Sequence, residues 1–94
     1  MKLVIREEAR DDLDGIYDWI AKDNLSAAIR VVRVLRESMN RILLPELVKI
    51  GRPGRRKGTR ELIEYPYIIV YKVFEERREV VVLPVVHGAR SREK

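Results

Sequence analysis

GRPGRRKGTR, residues 51–60, divides the chain into a helical first half and a strand-rich second half. It carries five basic residues (Arg52, Arg55, Arg56, Lys57 and Arg60), three glycines, one proline and no acidic residue. Glycine and proline at this density mark a loop. Its charge makes it the candidate functional loop. The C-terminal strand end HGARSR, residues 87–92, is expected to form the other half of the same site.

Working back from the loop, Ala28, Val31, Val32, Leu35, Met39, Ile42 and Leu43 form a long apolar stripe at helical spacing. Arg30, Arg33, Arg36, Glu37 and Asn40 occupy the remaining faces, and Pro45 marks the decline of this helix, with residues 46–50 a last turn or a loop. Asp23 and Asn24 break the pattern, and Asn24 or Ser26 supplies the cap. Before the break, Ala9, Leu13, Ile16, Tyr17 and Ile20 share one face of an earlier helix that ends near Lys22. Glu7 and Glu8 lie in its first turn, where the helix dipole favours negative charge. Asp11, Asp12, Asp14 and Asp18 are expected mostly on its opposite side, and Gly15 is expected to permit close packing against the second helix. So short a break leaves the two helices antiparallel neighbours. Residues 2–6, KLVIR, precede them as a short strand.

Working forward, residues 60–64, RELIE, alternate like a strand, and Tyr65-Pro66 interrupts them. YIIVYKVF, residues 67–74, is the strongest strand, rich in β-branched and aromatic residues. EERR, residues 75–78, is a charged turn, and EVVVLPVV, residues 79–86, is the last strand. Pro84 offers no ladder donor, so it belongs at an edge or a bulge. The expected fold is α+β: an N-terminal strand, an antiparallel helical hairpin, then a three-stranded antiparallel sheet, as one domain over residues 1–94. IIV and VVVL are apolar on both faces, whereas two helices cover only one face of a sheet. A partner chain is the simplest cover for the other.

Composition narrows the classes. Ninety-four residues bury one small core. With no cysteine there are neither disulfides nor thiolate metal sites, which fits a cytoplasmic location. MKLVIREEARDD is no signal peptide, and no apolar run approaches the ~20 residues that span a bilayer, so no membrane partner is expected. Residues 1–24 hold four basic and seven acidic side chains, while residues 25–94 hold sixteen and eight. The second part suits a polyanion or an acidic protein. No His, Cys or Asp spacing suggests a metal. Gly58 is followed by Thr59 with no lysine in the place a Walker A loop needs. Neither metal nor cofactor is expected.

GRPGRRKGTREL, then YPYIIVYKV, then VVVLPVVHGAR closely resembles the C-terminal half of the RelE/ParE superfamily of type II toxins. EARDDLDGIYDWIA resembles their first helix, so the likeness covers essentially the whole chain. The closing HGAR looks most like the ParE branch. The resemblance implies the toxin of a toxin–antitoxin pair, neutralised by a cognate antitoxin in a hetero-oligomer. ParE-like members inhibit DNA gyrase and replication, with growth arrest. RelE-like members cleave mRNA on the ribosome. A third possibility is an inactive member that only binds an antitoxin. The shared fold cannot choose among them.

The residues speak to that choice. A metal-free ribonuclease needs a base, an acid and cations around the scissile phosphate. The candidates are Arg60, His87 and Arg90; His87 is the sole histidine, the residue type most used for acid–base work at neutral pH. RelE-like nucleases resemble one another in an arginine just before the V-Y of the central strand, where this chain has Ile68. They also carry an aromatic near the C-terminus, and here none follows Phe74. The gyrase reading requires no catalytic residue and is favoured. Its target-binding candidates are Arg52, Arg55, Arg56 and Lys57, with Arg60, His87 and Arg90 nearby. Trp19 reads as a core-rim aromatic, Tyr67 and Tyr71 as packing on one sheet face, and Glu61 as an exposed strand ion pair.

Overall fold

The computed structural model describes residues 1–44, 47–48 and 50–88. The expectations for Pro45, Glu46, Lys49 and the tail from residue 89, Arg90 included, lie outside the described residues. The elements run β1 (Lys2–Ile5), α1 (Glu7–Ala21), α2 (Leu25–Arg41), β2 (Arg52–Pro53), β3 (Arg60–Glu64), β4 (Tyr67–Phe74) and β5 (Glu79–His87). Asn24 caps α2, its side-chain oxygen accepting from the Ala27 N–H at 2.9 Å.

The strands form one five-stranded sheet in the order β1-β5-β4-β3-β2. The three expected C-terminal strands are its antiparallel centre. β1 is added in parallel beside β5, with Leu3 opposite Val80 and Ile5 opposite Val82. β2, two residues inside the basic stretch, pairs with Arg60 and Glu61 at the other edge.

Both helices pack on one face of this sheet. Ala9 and Leu13 of α1 and Leu35 and Met39 of α2 enclose Ile69, Val82 and Val85. Ile42 and Val48 close over Tyr71 and Val80. Buried Ser38 donates to a Glu64 carboxylate oxygen, to which Arg41 also donates at 3.2 Å, and this cluster fastens α2 to β3. Residues of the opposite parity (Val4, Ile63, Val70 and Val86) face away from the helices, and Ile63 is 44% exposed.

Pro84 sits where the β4–β5 register slips, since Tyr71 opposes Val82 but Ile69 opposes Val85. The bulge falls just past the last residue of β5 that pairs with β1, so no ladder bond is lost to the missing N–H. The next donor, the Val85 N–H, is taken by an Asp12 carboxylate oxygen at 2.9 Å. Asp12 therefore turns toward the sheet, contrary to its expected place on the solvent side: an orphaned amide needs an acceptor more than the helix needs another surface charge. Gly15 also differs from expectation. A Cβ built there meets nothing within 4 Å, so it makes no close helix approach. Trp19 is 69% exposed rather than at a core rim, with the Lys22 ammonium 5.4 Å from its ring centre.

Two substitutions test these assignments by thermal or denaturant unfolding. Gly15→Ala is expected to stabilise the protein by about 1 kcal/mol, because it removes a helix-interior glycine without a clash. Asp12→Ala is expected to destabilise it by about 1–3 kcal/mol, because the Val85 N–H loses its charged acceptor.

Candidate functional site

The basic stretch is built as a tip held on a fixed base. At the base, the buried Tyr71 hydroxyl donates to the Val48 carbonyl at 3.0 Å and accepts from the Gly51 N–H at 3.1 Å. Arg60 donates to the Gly51 carbonyl from the opposite limb. Gly51 allows this convergence: a Cβ there would lie 2.7 Å from the Glu61 carbonyl oxygen and 2.8 Å from the Tyr71 hydroxyl. Arg52 pairs with Glu61 at 3.0 Å, so the ion pair of Glu61 runs across the β2–β3 hairpin. The Gly54 N–H then bonds the Thr59 carbonyl at 2.8 Å, closing the tip, and Gly58 takes a φ of +85° that suits its lack of a side chain.

Arg55, Arg56 and Lys57 are thereby exposed at the end of a short hairpin. Arg52 and Arg60 are committed to internal contacts, and Arg60 is half-buried. The hairpin flanks an open recess of about 400 Å³ lined by Pro53, Gly58, Thr59, Arg60, Val73 and Glu75.

His87 lies elsewhere. It is opposite Tyr67, while Arg60 is opposite Tyr71. Four residues of strand separate the two levels, about 13 Å at the usual rise. The basic tip extends further still, beyond Arg60. The expected joint patch of loop and C-terminal strand end is therefore not assembled among the described residues. Two successive hairpins carry the reason: β4 runs back along β3 and β5 runs back along β4, so the end of β5 meets the far end of β3. His87 is exposed and meets the Tyr67 ring edge-on, with centres 5.6 Å apart. Ile68, where RelE-like nucleases resemble one another in an arginine, is 4% exposed. Tyr67 and Tyr71 share the helix face as expected, whereas Tyr65 stands 93% exposed in the β3–β4 turn.

Comparison with known proteins fits this arrangement. Residues 3–92 match the family described as ParE toxin of type II toxin-antitoxin system, parDE. A Sinorhizobium fredii protein assigned as a toxin, Y4kP, is 43% identical over 78 residues, which cover 81% of this chain and 76% of that protein. Among solved structures, the chromosomal ParDE toxin–antitoxin system from P. aeruginosa aligns with a TM-score of 0.79 at 24% identity, covering 93% of this chain and 95% of that one. A chain of the RelBE2 toxin–antitoxin complex from Mycobacterium tuberculosis aligns with a TM-score of 0.69 at 25% identity, covering 92% and 88%. The chain belongs to the ParE toxin family of type II toxin–antitoxin systems.

The clamp at the base of the loop is open to direct test. Tyr71→Phe leaves the Gly51 N–H and the Val48 carbonyl without their buried partner, at a cost of about 1–3 kcal/mol. Amide hydrogen exchange is expected to speed up at Gly51 before it does in the centre of β4.

Proposed function

We propose that this ParE-family toxin inhibits DNA gyrase, and through it replication and growth, by gripping its target with the exposed tip residues Arg55, Arg56 and Lys57. The observation that supports this reading most is the construction of the loop: a basic tip on a hydrogen-bonded base, with His87 placed at the other end of β4 among the described residues. Binding needs only a presented surface. A ribonuclease would need Arg60 and His87 to converge on one phosphate, and the strand register sets them about 13 Å apart. Arg60, on this reading, shapes the loop, and His87 contributes no target contact alongside the tip.

An antitoxin is the proposed partner for the apolar surface. Leu25, Ile29 and Val34 are exposed on α2, and Ile63 is exposed on the sheet face that the helices leave bare. Segments that fold as they bind are suited to covering such dispersed apolar area. The same reading places the toxin with gyrase in the cytoplasm, as a single domain in a hetero-oligomer with its antitoxin.

Induction in a bacterium distinguishes the targets. Filamentation and a DNA-damage response with intact mRNA are expected; prompt translation arrest with codon-placed cuts would show the ribosome-dependent endonuclease instead. The triple variant Arg55→Ala, Arg56→Ala, Lys57→Ala is expected to lose at least about tenfold in gyrase inhibition. Its antitoxin affinity should stay near that of the parent. Exposed ion pairs carry roughly 0.2–1 kcal/mol each, so three of them reach the about 1.4 kcal/mol of a tenfold loss.

A further inference from the structure

We infer that the loop end of the sheet is a binding surface for the phosphate backbone of duplex DNA, and that the toxin touches nucleic acid directly as well as protein. The inference deepens the gyrase reading by naming what the basic tip grips.

Sheet topology sets the surface. β3 and β4 are neighbours, so the β2–β3 loop and the β4–β5 turn emerge side by side. β1 runs parallel to β5 with Lys2 opposite Glu79, which brings a further cation to the same end. The Lys2 N–H bonds the Arg78 carbonyl at 2.9 Å, and this contact ties the first strand to the turn. Lys72 reaches under the loop: its Nζ lies 3.7 Å from where a Gly58 Cβ would stand. Arg77 lies over the Phe74 ring at 4.1 Å, and Lys72 approaches the same ring at 5.1 Å.

This end gathers Lys2, Arg52, Arg55, Arg56, Lys57, Arg60, Lys72, Arg77 and Arg78 against Glu61, Glu75, Glu76 and Glu79. Glu61 is matched by Arg52 and Glu79 by Arg77. Five strands at the usual spacing span about 19 Å. A duplex carries about one charge per 1.7 Å of its axis, so a row this wide faces several phosphates at once.

The composition of the tip favours a nucleic acid over an acidic protein. Protein interfaces depend on a desolvated core in which arginine works beside aromatic anchors such as tryptophan and tyrosine. Residues 54–59 supply only glycine, arginine, lysine and threonine. Phe74 is half-buried with cations on its ring, and the recess beside it is lined by Arg60 and Glu75, with Val73 and Pro53 its apolar members. Phosphates need only cations and N–H groups. The large exposed apolar side chains of α1, α2 and the β3–β4 turn lie outside the loop, whereas Leu44 and Ile50 are exposed on the segment that leads into it.

The test is fluorescence anisotropy of the whole toxin with a labelled 20-base-pair duplex, across a salt series and without gyrase. Wild-type protein is expected to bind at low salt with a steep negative dependence of log K on log salt. The variant Arg56→Ala, Lys57→Ala, Arg78→Ala should lose at least about tenfold in affinity and shed about 2.7 from that slope, at roughly 0.9 per phosphate contact. The charge-matched control Arg30→Ala, Arg33→Ala, Arg36→Ala, on exposed positions of α2, should stay within about threefold of wild type. Equal losses in the two variants would overturn the inference, as would absence of binding at low salt. Tighter binding to polyglutamate than to the duplex would overturn it in favour of an acidic protein surface. Gyrase inhibition by the wild-type protein is measured separately, so inhibition without any binding to the duplex at low salt refutes this inference while the gyrase reading stands.

Discussion

The Tyr71 hydroxyl is the point on which the working end of this molecule turns. It is fully buried, and it holds two backbone groups, the Val48 carbonyl and the Gly51 N–H, on the flank of the central strand. A buried hydroxyl in such a place costs free energy unless both its donor and its acceptor capacity are used. Here they are used on the segment that leads into a glycine-rich, cationic hairpin, whose own hydrogen bonds close its tip. Arg60 adds a second tie to the same glycine from across the hairpin. The chain thus anchors the base of a loop that must stay exposed, and leaves Arg55, Arg56 and Lys57 at the surface. A basic loop without such a base would lose more entropy on meeting its target.

The helical hairpin and the β-hairpins were legible because local pattern decides them. Helical spacing of Ala9, Leu13 and Ile16, and of Ala28, Leu35 and Met39, marks faces that are buried or half-buried against the sheet. Pro84 announced an edge or a bulge because a missing N–H has few places to go, and the register slips there. What stayed hidden depends on partners distant in sequence. β2 is an arginine and a proline, with no periodicity to read. The acceptor role of Asp12 exists only because β1 stops short and leaves the Val85 amide over. Arg60 looked like one cation among five; its tie to Gly51 needs the fold of the hairpin to appear.

The separation of His87 from the basic loop was in principle available earlier. Two consecutive antiparallel hairpins with short turns oblige the end of the last strand to lie beside the start of the middle one. Applied to residues 60–87, that rule puts His87 beside Tyr67, where it is found. Family likeness drew loop and strand end into one motif because both are signature segments of the same chain. Adjacency in a signature is not adjacency in space. The distinction bears on chemistry, since cations at one end of a sheet and an imidazole at the other do not act on one phosphate.

The account therefore rests on which end of the sheet meets the target. A photo-reactive amino acid placed at position 56, and separately at position 87, reads this directly in the presence of gyrase and DNA. Cross-links to gyrase or its bound DNA from position 56, with none from position 87, are the predicted result. Cross-links from position 87 with position 56 silent would contradict it, and would move the working surface to the opposite end of the molecule.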